Sequence, residues 1–204
     1  SKYFTGMMLV GKDTIIDNTI LEEFYEKYPY PHRNPNDVHH SSILPANIFA
    51  IDRYIFQSKL SEYKRLRVLV AGCGTGDAAV ALINQTRQLD LSLDLHCVDI
   101  SKVSLPILRE RIASLSPSQP VQIYQQSIED FCRHTTYRFD YIDLCGVLNH
   151  VADQILTLSS LSEVLSENGG IGVMAYGKYG REGVYPLQNA FLKLSEQIHL
   201  DVSD

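Results

Sequence analysis

Three closely spaced glycines, Gly72, Gly74 and Gly76, are the residues of this sequence whose types and spacing most clearly indicate ligand chemistry. They follow an apolar run that starts at Leu66, and Asp77 opens a helix-compatible segment directly after them. Glycine permits positive φ angles and lets a ligand approach the backbone closely. The start of a helix offers unpaired N–H groups and the positive end of its dipole. The stretch therefore predicts a buried strand, a tight turn and a ligand at the helix N-terminus.

The spacing of this turn argues against a dinucleotide. The dinucleotide fingerprint G-x-G-x-x-G would place its third glycine at position 77, where this chain has Asp77. A carboxylate there would repel a pyrophosphate and would suit a ligand that carries an amino group or a sulfonium. An NAD(P)-dependent Rossmann oxidoreductase shares the expected fold and an acidic residue at the next strand end, so it is kept as an alternative.

The elements that must position this turn alternate between strand and helix. The apolar pattern predicts strands over 67–71, 94–98, 121–125, 139–144 and 171–176. It predicts helices over 77–87, 103–115, 128–133 and 153–165, with Ser104 as an N-cap and Asn168-Gly169-Gly170 ending the last helix. Because strands that alternate with helices form parallel sheets, the expected fold class is α/β. We expect a three-layer, doubly wound and mostly parallel sheet.

The segment before the sheet is predicted to be helical. One helix begins at Asn18 and ends before Tyr28-Pro29-Tyr30-Pro31, because residues that precede proline adopt extended geometry. A second helix is predicted over 46–57. The expected division is an N-terminal helical extension over 1–60 and a core over 61–204. An amphipathic helix over 185–198 is expected to close the chain.

Composition excludes several classes of function. The net charge is −6 and no segment concentrates Lys and Arg, which disfavours nucleic acid and anionic membranes as partners. No apolar run reaches the ~18 residues of a transmembrane helix, and the first residues do not resemble a signal peptide. The four cysteines lie far apart without a C-x-x-C pair. Reduced thiols and a cytoplasmic location are therefore expected.

The glycine turn and a second acidic position together resemble a known family. The run Ala71-Gly72-Cys73-Gly74-Thr75-Gly76 is similar to the first motif of class I S-adenosylmethionine-dependent methyltransferases, whose fold is Rossmann-like. Asp99, in His96-Cys97-Val98-Asp99-Ile100-Ser101, matches the acidic residue that ends the second strand of that family. The resemblance implies that Asp99 accepts hydrogen bonds from both ribose hydroxyls of the cofactor.

Two later segments extend the resemblance. Gln126-Ser127-Ile128-Glu129-Asp130 loosely resembles the third motif, where Ile128 would cover an adenine face and Ser127 would reach its edge, although the family often has Asp in place of Ser127. The run 139–150, FDYIDLCGVLNH, resembles the fourth strand and the loop that passes the methionine part of the cofactor. Four motifs in the family's order are more specific than one glycine loop.

The resemblance implies a methyltransferase that uses S-adenosylmethionine and releases S-adenosylhomocysteine. The implied cofactor-binding residues are Ala71, Gly72, Cys73, Gly74, Gly76, Asp77, Asp99, Ile100, Ser127, Ile128, Cys145 and Gly146. The acceptor would be a small molecule or a protein, and the sequence does not separate these two classes. A module that binds S-adenosylmethionine without catalysis is a second alternative.

The sequence departs from the family after its fifth predicted strand. Such domains usually continue through a helix into an antiparallel pair of strands, whereas only 28 residues follow Tyr176 here. The final antiparallel strands are therefore expected to be missing. We interpret the chain as a fragment of a longer protein with a further domain, or as one whose exposed sheet edge is completed by a partner, as in a homodimer.

Catalysis of methyl transfer depends mainly on alignment and exclusion of water, with a base only where the acceptor carries a proton. His150 follows the fourth strand at the edge where ligands bind, so it is the candidate general base or substrate contact. A capping or surface role is the alternative for His150. Asp143 lies inside the fourth strand and could have a functional or a structural role. Asp77 could either cap its helix or face the ligand.

Aromatic segments on both sides of the core are candidates for a lid and an acceptor site. Tyr30 and His32 precede the core, where the family often has a lid; their alternative role is packing on the core. Tyr176, Tyr179 and Tyr185 lie in a glycine-rich stretch after the fifth strand, suited to a substrate pocket or to a plain surface loop. The adjacent pair His39-His40 lacks further ligands, so no metal is expected.

Overall fold

The computed structural model describes residues 26–27, 31–38, 46–89 and 91–177. Several predictions therefore lie outside the described residues. These are the start of the first helix at Asn18, the lid candidate Tyr30, the pair His39-His40, the aromatic residues Tyr179 and Tyr185, and the closing helix over 185–198. No helix in the described ranges is both long and apolar enough to cross a membrane.

A five-stranded parallel sheet forms the centre of the described structure. Its strands are β1 (Arg65–Ala71), β2 (Ser92–Asp99), β3 (Gln122–Gln125), β4 (Phe139–Cys145) and β5 (Leu165–Met174). The strand order is β3-β2-β1-β4-β5, and every neighbouring pair is parallel. The order reverses between β1 and β4, and a crevice opens at the carboxyl ends of strands at such a switch point. The predicted α/β fold class is confirmed.

Helices cover both faces of this sheet. They are α1 (Ile48–Tyr54), α2 (Asp77–Thr86), α3 (Ser104–Leu115), α4 (Ile128–His134) and α5 (Gln154–Glu163). Val68 and Val70 of β1 pack with α1, α2 and α3 in one apolar cluster. The intervening Leu69 packs with α4 and α5 in a second cluster. Because alternate strand residues point to opposite faces, β1 is apolar throughout and supports both layers.

The boundary between α5 and β5 corrects one prediction. The helix ends at Glu163, and Asn168-Gly169-Gly170 lies inside β5 instead of ending the helix. A register irregularity separates the Phe139 and Tyr141 pairings of β4 with β5. A Cβ on Gly169 would lie 2.7 Å from the Phe139 carbonyl oxygen. These glycines therefore allow β4 and β5 to approach each other closely. Strand β5 begins at Leu165, earlier than the predicted start at residue 171.

Helix starts also differ in one place from the sequence prediction. Ser104, the expected N-cap, is the first residue of α3, and its N–H donates to the Ser101 hydroxyl at 3.0 Å. Ser127 caps α4 by accepting from the Asp130 N–H at 3.1 Å. Asp153 caps α5 in the same way. A polar side chain one turn earlier can satisfy the first N–H groups, so the cap position shifts easily in a serine-rich stretch.

Candidate functional site

A cavity of about 590 Å³ opens at the carboxyl ends of β1, β2 and β4. Its volume lies within the range usual for small-molecule sites. Many of the residues singled out in the sequence line it: Gly72, Cys73, Gly74, Asp77, Asp99, Ile100, Ser127, Ile128, Cys145, Gly146, His150 and Tyr176. The structure thus brings all four motifs to one place, although they extend over residues 71–150 of the chain.

The glycine turn brings its backbone to the cavity wall. Gly72 has a φ of +70°, and a Cβ there would lie 2.5 Å from a methyl carbon of Val147. Any side chain at this position would therefore be strained and would clash with the loop after β4. Two predicted binding residues do not line the cavity. Ala71 is buried in β1, and Gly76 is the N-cap of α2.

The backbone orients the Asp99 carboxylate at the end of β2. One carboxylate oxygen accepts from the Gly74 N–H at 2.7 Å and the other from the Ser101 N–H at 2.9 Å. Burial raises the pKa of Asp99, and these N–H donors act in the opposite direction. Each carboxylate oxygen can accept more than one hydrogen bond. The carboxylate can therefore accept two further donors from a ligand without losing its support.

Two guanidinium groups hold Asp77 at the start of α2. Arg33 donates to it from Nη2 at 2.6 Å, and the fully buried Arg111 donates from Nη1 at 2.9 Å. Burial alone would raise the pKa of Asp77, but the hydrogen bonds from both arginines outweigh it and hold the pKa below its usual value. Asp77 lines the cavity as part of an ion-pair network, and its charge is balanced within the protein.

The segment 31–38 packs against the glycine turn. The Thr75 hydroxyl donates to the Pro31 carbonyl oxygen at 2.7 Å, and Arg111 donates to the Asp37 carbonyl oxygen at 2.7 Å. His32, a lid candidate, is exposed and does not line the cavity, whereas its neighbour Arg33 does. Sequence reasoning missed Arg33 because its partner Asp77 lies 44 residues away.

The third motif forms the cavity wall beyond β3. Ile128 is buried at the first turn of α4 and lines the cavity. The Ser127 hydroxyl accepts from the Asp130 N–H, which leaves its own proton to donate. Glu129 accepts a hydrogen bond from the Thr157 hydroxyl. This part of the wall therefore presents an apolar side chain beside a polar edge.

The end of β4 presents a thiol and a buried carboxyl. Burial raises the pKa of Cys145 to about 11, so this thiol is protonated at neutral pH and is a poor nucleophile. Asp143 is only 2% exposed, and burial raises its pKa to about 6. The Tyr141 hydroxyl donates to it at 3.3 Å. All four cysteines are unpaired.

His150 and Tyr176 meet at the rim of the cavity. Their rings are perpendicular, with centroids 6.0 Å apart. The His150 N–H donates to the Val147 carbonyl oxygen at 2.8 Å, and the Tyr176 N–H donates to the Asn149 side chain at 2.8 Å. The backbone thus fixes a titratable imidazole beside an aromatic ring, and both line the cavity.

Comparison with known proteins identifies the family. Residues 69–171, about half of the chain and spanning β1 to β5, match the profile of a family described as methyltransferase domain. An uncharacterized protein of a Synechococcus strain is 29% identical over 140 residues, which are 69% of this chain and 32% of that protein. The chain thus spans about a third of the length of this curated relative.

The solved structures that align with this chain are more distant in sequence. An S-adenosylmethionine-dependent methyltransferase from Clostridium acetobutylicum aligns with a TM-score of 0.45 and 19% identity over 61% of this chain and 54% of its own. A precorrin-8w decarboxylase from Methanobacterium thermoautotrophicum aligns with a TM-score of 0.48 and 14% identity over 78% of this chain and 81% of its own. The family match through β1 to β5 and the four motifs around one cavity lead to one assignment: the chain belongs to the methyltransferase domain family.

Proposed function

We propose that this chain binds S-adenosylmethionine in the cavity at the carboxyl ends of β1, β2 and β4 and transfers its methyl group to an acceptor. The observation that carries the proposal is Asp99, whose carboxylate is fixed by two backbone N–H groups and still has acceptor capacity. Two adjacent hydroxyls of a ribose match two carboxylate oxygens held in this way. The family match supports the reaction class.

The surrounding residues fit the remaining parts of this cofactor. Ile128 offers an apolar surface for the adenine face, and the Ser127 hydroxyl has a proton for its edge. Arg33 lines the same cavity near the glycine turn and would attract the methionine carboxylate. The Gly72 backbone lies open to a ligand because no Cβ fits there. Polar and apolar groups therefore occur in the order that a nucleoside with an amino-acid tail requires.

The chemistry of the reaction places few demands on the chain. S-adenosylmethionine supplies a methyl group that positive sulfur already activates for displacement. The residues of the chain bind and orient the cofactor, and Asp99 fixes its nucleoside end. The high pKa of Cys145 keeps a competing nucleophile protonated at the end of β4.

We propose His150 as the residue that receives a proton from an acceptor of the O–H or N–H type. Its ring lies at the cavity rim, and Tyr176 limits its orientation. Replacing His150 with Ala should lower the turnover rate by ~10²-fold or more with little effect on cofactor affinity. His134→Ala, an exposed histidine on α4, is the matched control. Equal turnover in both variants would remove His150 from the mechanism.

The cofactor assignment is tested by calorimetric titration of Asp99→Ala with S-adenosylhomocysteine. Loss of a charged acceptor for two hydroxyls should weaken binding by ~30-fold or more. Asp94→Ala, on the same strand but outside the cavity, should bind normally once its fold is verified. Unchanged affinity in Asp99→Ala would show that the ribose lies elsewhere.

Two alternatives make opposite predictions. An NAD(P)-dependent oxidoreductase would be stabilised in thermal-shift titration by NAD(H) and not by S-adenosylmethionine. A non-catalytic module would bind S-adenosylmethionine but release no S-adenosylhomocysteine with any member of a panel of small-molecule and protein acceptors. We propose catalysis, because His150 and Tyr176 line the open rim of the cavity.

Several broader features belong to the same proposal. We propose that the extension over 1–60 acts as a lid, supported by the hydrogen bonds that join 31–38 to the glycine turn. A cytoplasmic location is supported by four unpaired thiols. The acceptor is a small molecule or a protein, and the core works within a longer chain or as a homodimer. Removal of residues 1–38 should then raise the dissociation rate of the cofactor.

A further inference from the structure

Asp143 is a buried carboxyl that no role assigned so far uses. It lies on β4 directly opposite Val70 of β1, and both residues line the cavity. Its exposed fraction is 2%. Carboxyl groups are rarely buried unless a cation or several hydrogen bonds compensate the lost hydration. A carboxyl in the centre of the sheet beside a ligand cavity is therefore expected to bind a cationic or hydrogen-bonding group of the ligand.

Four other acidic residues of the cavity already have such partners. Asp77 is bound by two guanidinium groups, and Asp130 forms an ion pair with Arg133 at 3.0 Å. Asp99 accepts two backbone N–H groups, and Asp153 caps α5. For Asp143, no ion pair with a Lys, Arg or His occurs within the described part of the chain. The Tyr141 hydroxyl at 3.3 Å and a backbone donor at Cys145 are its contacts there.

The position of Asp143 relative to Asp99 fits the length of the cofactor. The two residues lie on β4 and β2, which flank β1 on either side. Neighbouring strands are separated by about 4.8 Å, so the two strands are about 10 Å apart. This separation suits a ligand whose ribose lies at β2 and whose amino-acid tail crosses the glycine turn towards β4.

We propose that the Asp143 carboxylate accepts a hydrogen bond from the α-ammonium group of the methionine part of the cofactor. The inference rests on the proposed function and adds to it the residue that recognises the tail. An ammonium group donates three hydrogen bonds and carries the charge that a buried carboxylate lacks, whereas a sulfonium has no N–H to donate. The role suggested for Asp77 in the sequence passes to Asp143, because Asp77 is neutralised by Arg33 and Arg111.

The charge state of the carboxyl agrees with this role. Burial raises the pKa of Asp143 to about 6, so ionisation of this carboxyl is less favourable than in water when no cation is bound. A cationic group at hydrogen-bonding distance would favour the ionised form and lower that pKa. The site is thus prepared for a positive ligand group.

The test compares two thioether ligands that differ only in the amino-acid tail. Calorimetry measures the affinity of S-adenosylhomocysteine and of 5′-methylthioadenosine for the unmodified chain, for Asp143→Asn and for Asp140→Asn. Asp140 lies on the same strand outside the cavity and is the matched control. Asp143→Asn should bind S-adenosylhomocysteine at least tenfold more weakly and 5′-methylthioadenosine within twofold of normal. Asp140→Asn should bind both normally.

The outcomes separate this inference from the proposed function. If the unmodified chain binds neither ligand, the proposed function is wrong. Suppose instead that the unmodified chain binds both ligands. If Asp143→Asn then keeps its full affinity for S-adenosylhomocysteine, or loses affinity for both ligands equally, only the role of Asp143 is wrong. A deaminated analogue of S-adenosylhomocysteine provides a test on the unmodified chain alone. Affinity equal to that of the parent compound would overturn the inference even if the variant failed to fold.

Discussion

Replacing Arg111 with Met should destabilise the whole cavity, because this side chain joins three separate segments. It is fully buried on α3 and donates to the Thr75 carbonyl oxygen at 2.8 Å and to Asp77 at 2.9 Å. Its other nitrogens donate to the Asp37 carbonyl oxygen at 3.2 and 2.7 Å. The glycine turn, α2 and the segment 31–38 are thus held by one guanidinium.

The magnitude follows from what the substitution leaves behind. Methionine has a similar volume but no donor, so the Thr75 and Asp37 carbonyl oxygens lose a donor and Asp77 Oδ1 keeps only its bond from Arg33 Nε at 2.9 Å. Breaking a buried ion pair from one side costs about 3–5 kcal/mol. Since Asp77 keeps Arg33, we expect the lower end, about 3 kcal/mol in the free energy of unfolding. At the m-value of a protein of this size, the urea midpoint falls by on the order of 1 M.

The stability lost in Arg111→Met should depend on pH in a definite direction. The pKa of Asp77 is lowered in the folded state, so its interaction stabilises above the unfolded pKa near 3.8 and is lost as pH falls through the folded value. The difference between the unmodified chain and Arg111→Met should therefore shrink below about pH 4. Salt at 1 M should change the free energy of unfolding of the unmodified chain and of Arg111→Met by a comparable amount. The reason is that a buried ion pair is only weakly screened, so its contribution persists at high salt.

Urea denaturation followed by circular dichroism measures this effect. Arg109→Met, two residues earlier on the exposed side of the same helix, is the matched control and should change stability by less than about 0.5 kcal/mol. Arg111→Lys keeps the charge but not the forked donor geometry, and we expect an intermediate loss. If Arg111→Met is no less stable than Arg109→Met, the network does not hold the cavity together.

Three further predictions concern single positions. Gly76→Ala should lower the free energy of unfolding by about 3 kcal/mol in urea, since its φ is +99° and a Cβ would collide with Leu108; Gly177→Ala, with nothing within 4 Å, is the control and should change little. Asp143→Asn should stabilise the unliganded chain by about 3 kcal/mol at pH 7. The reason is that the Asp143 carboxyl has a pKa of about 6 in the folded state and binds more protons there than in the unfolded state. The free energy of unfolding of the unmodified chain therefore falls as the pH rises from about 4 to 6. The gain should vanish near pH 4, and a gain independent of pH would contradict the assignment. Cys145 should react with iodoacetamide far more slowly at pH 7 than free cysteine, as its pKa is about 11, and mass spectrometry of the modified peptide would reveal the opposite.

The glycine turn and its flanking elements could be predicted because their signals are local. The apolar run of β1, the turn and the start of α2 follow one another between residues 65 and 77, and each follows from residue type alone. Asp99 could be placed for a related reason. It ends the next strand, and the carboxyl ends of parallel neighbours meet at one edge of the sheet.

The arginine network could not be predicted, because it joins residues that are remote in sequence. Arg33, Asp77 and Arg111 come from a loop, a helix start and a helix interior, and no spacing rule relates them. A sequence reader sees only that Asp77 opens a helix and that a lid segment precedes the core. Within that segment the chemistry of His32 suggests a ligand contact, yet His32 is exposed and it is Arg33 that lines the cavity.

The end of α5 was misplaced because glycine has two structural uses. Asn168-Gly169-Gly170 has the composition of a helix end with a left-handed residue. The same residues also allow a close approach of two backbones, and in β5 a Cβ on Gly169 would lie 2.7 Å from the Phe139 carbonyl oxygen. Only the partner strand distinguishes the two uses. Pairing between strands is a tertiary feature that local composition does not encode.

The charges of the cavity decide between the two cofactor classes that this fold accommodates. Arg33 and Arg111 both pair with Asp77, and Arg133 pairs with Asp130, so these two carboxylates are balanced by cations within the protein. Asp99 and Asp143 then add negative charge that no side-chain cation in the described ranges offsets. A pyrophosphate with two negative charges would be repelled there, whereas a sulfonium and an ammonium would each be attracted. A cofactor that loses one positive charge on methyl transfer would also bind less tightly afterwards, which favours release of the product.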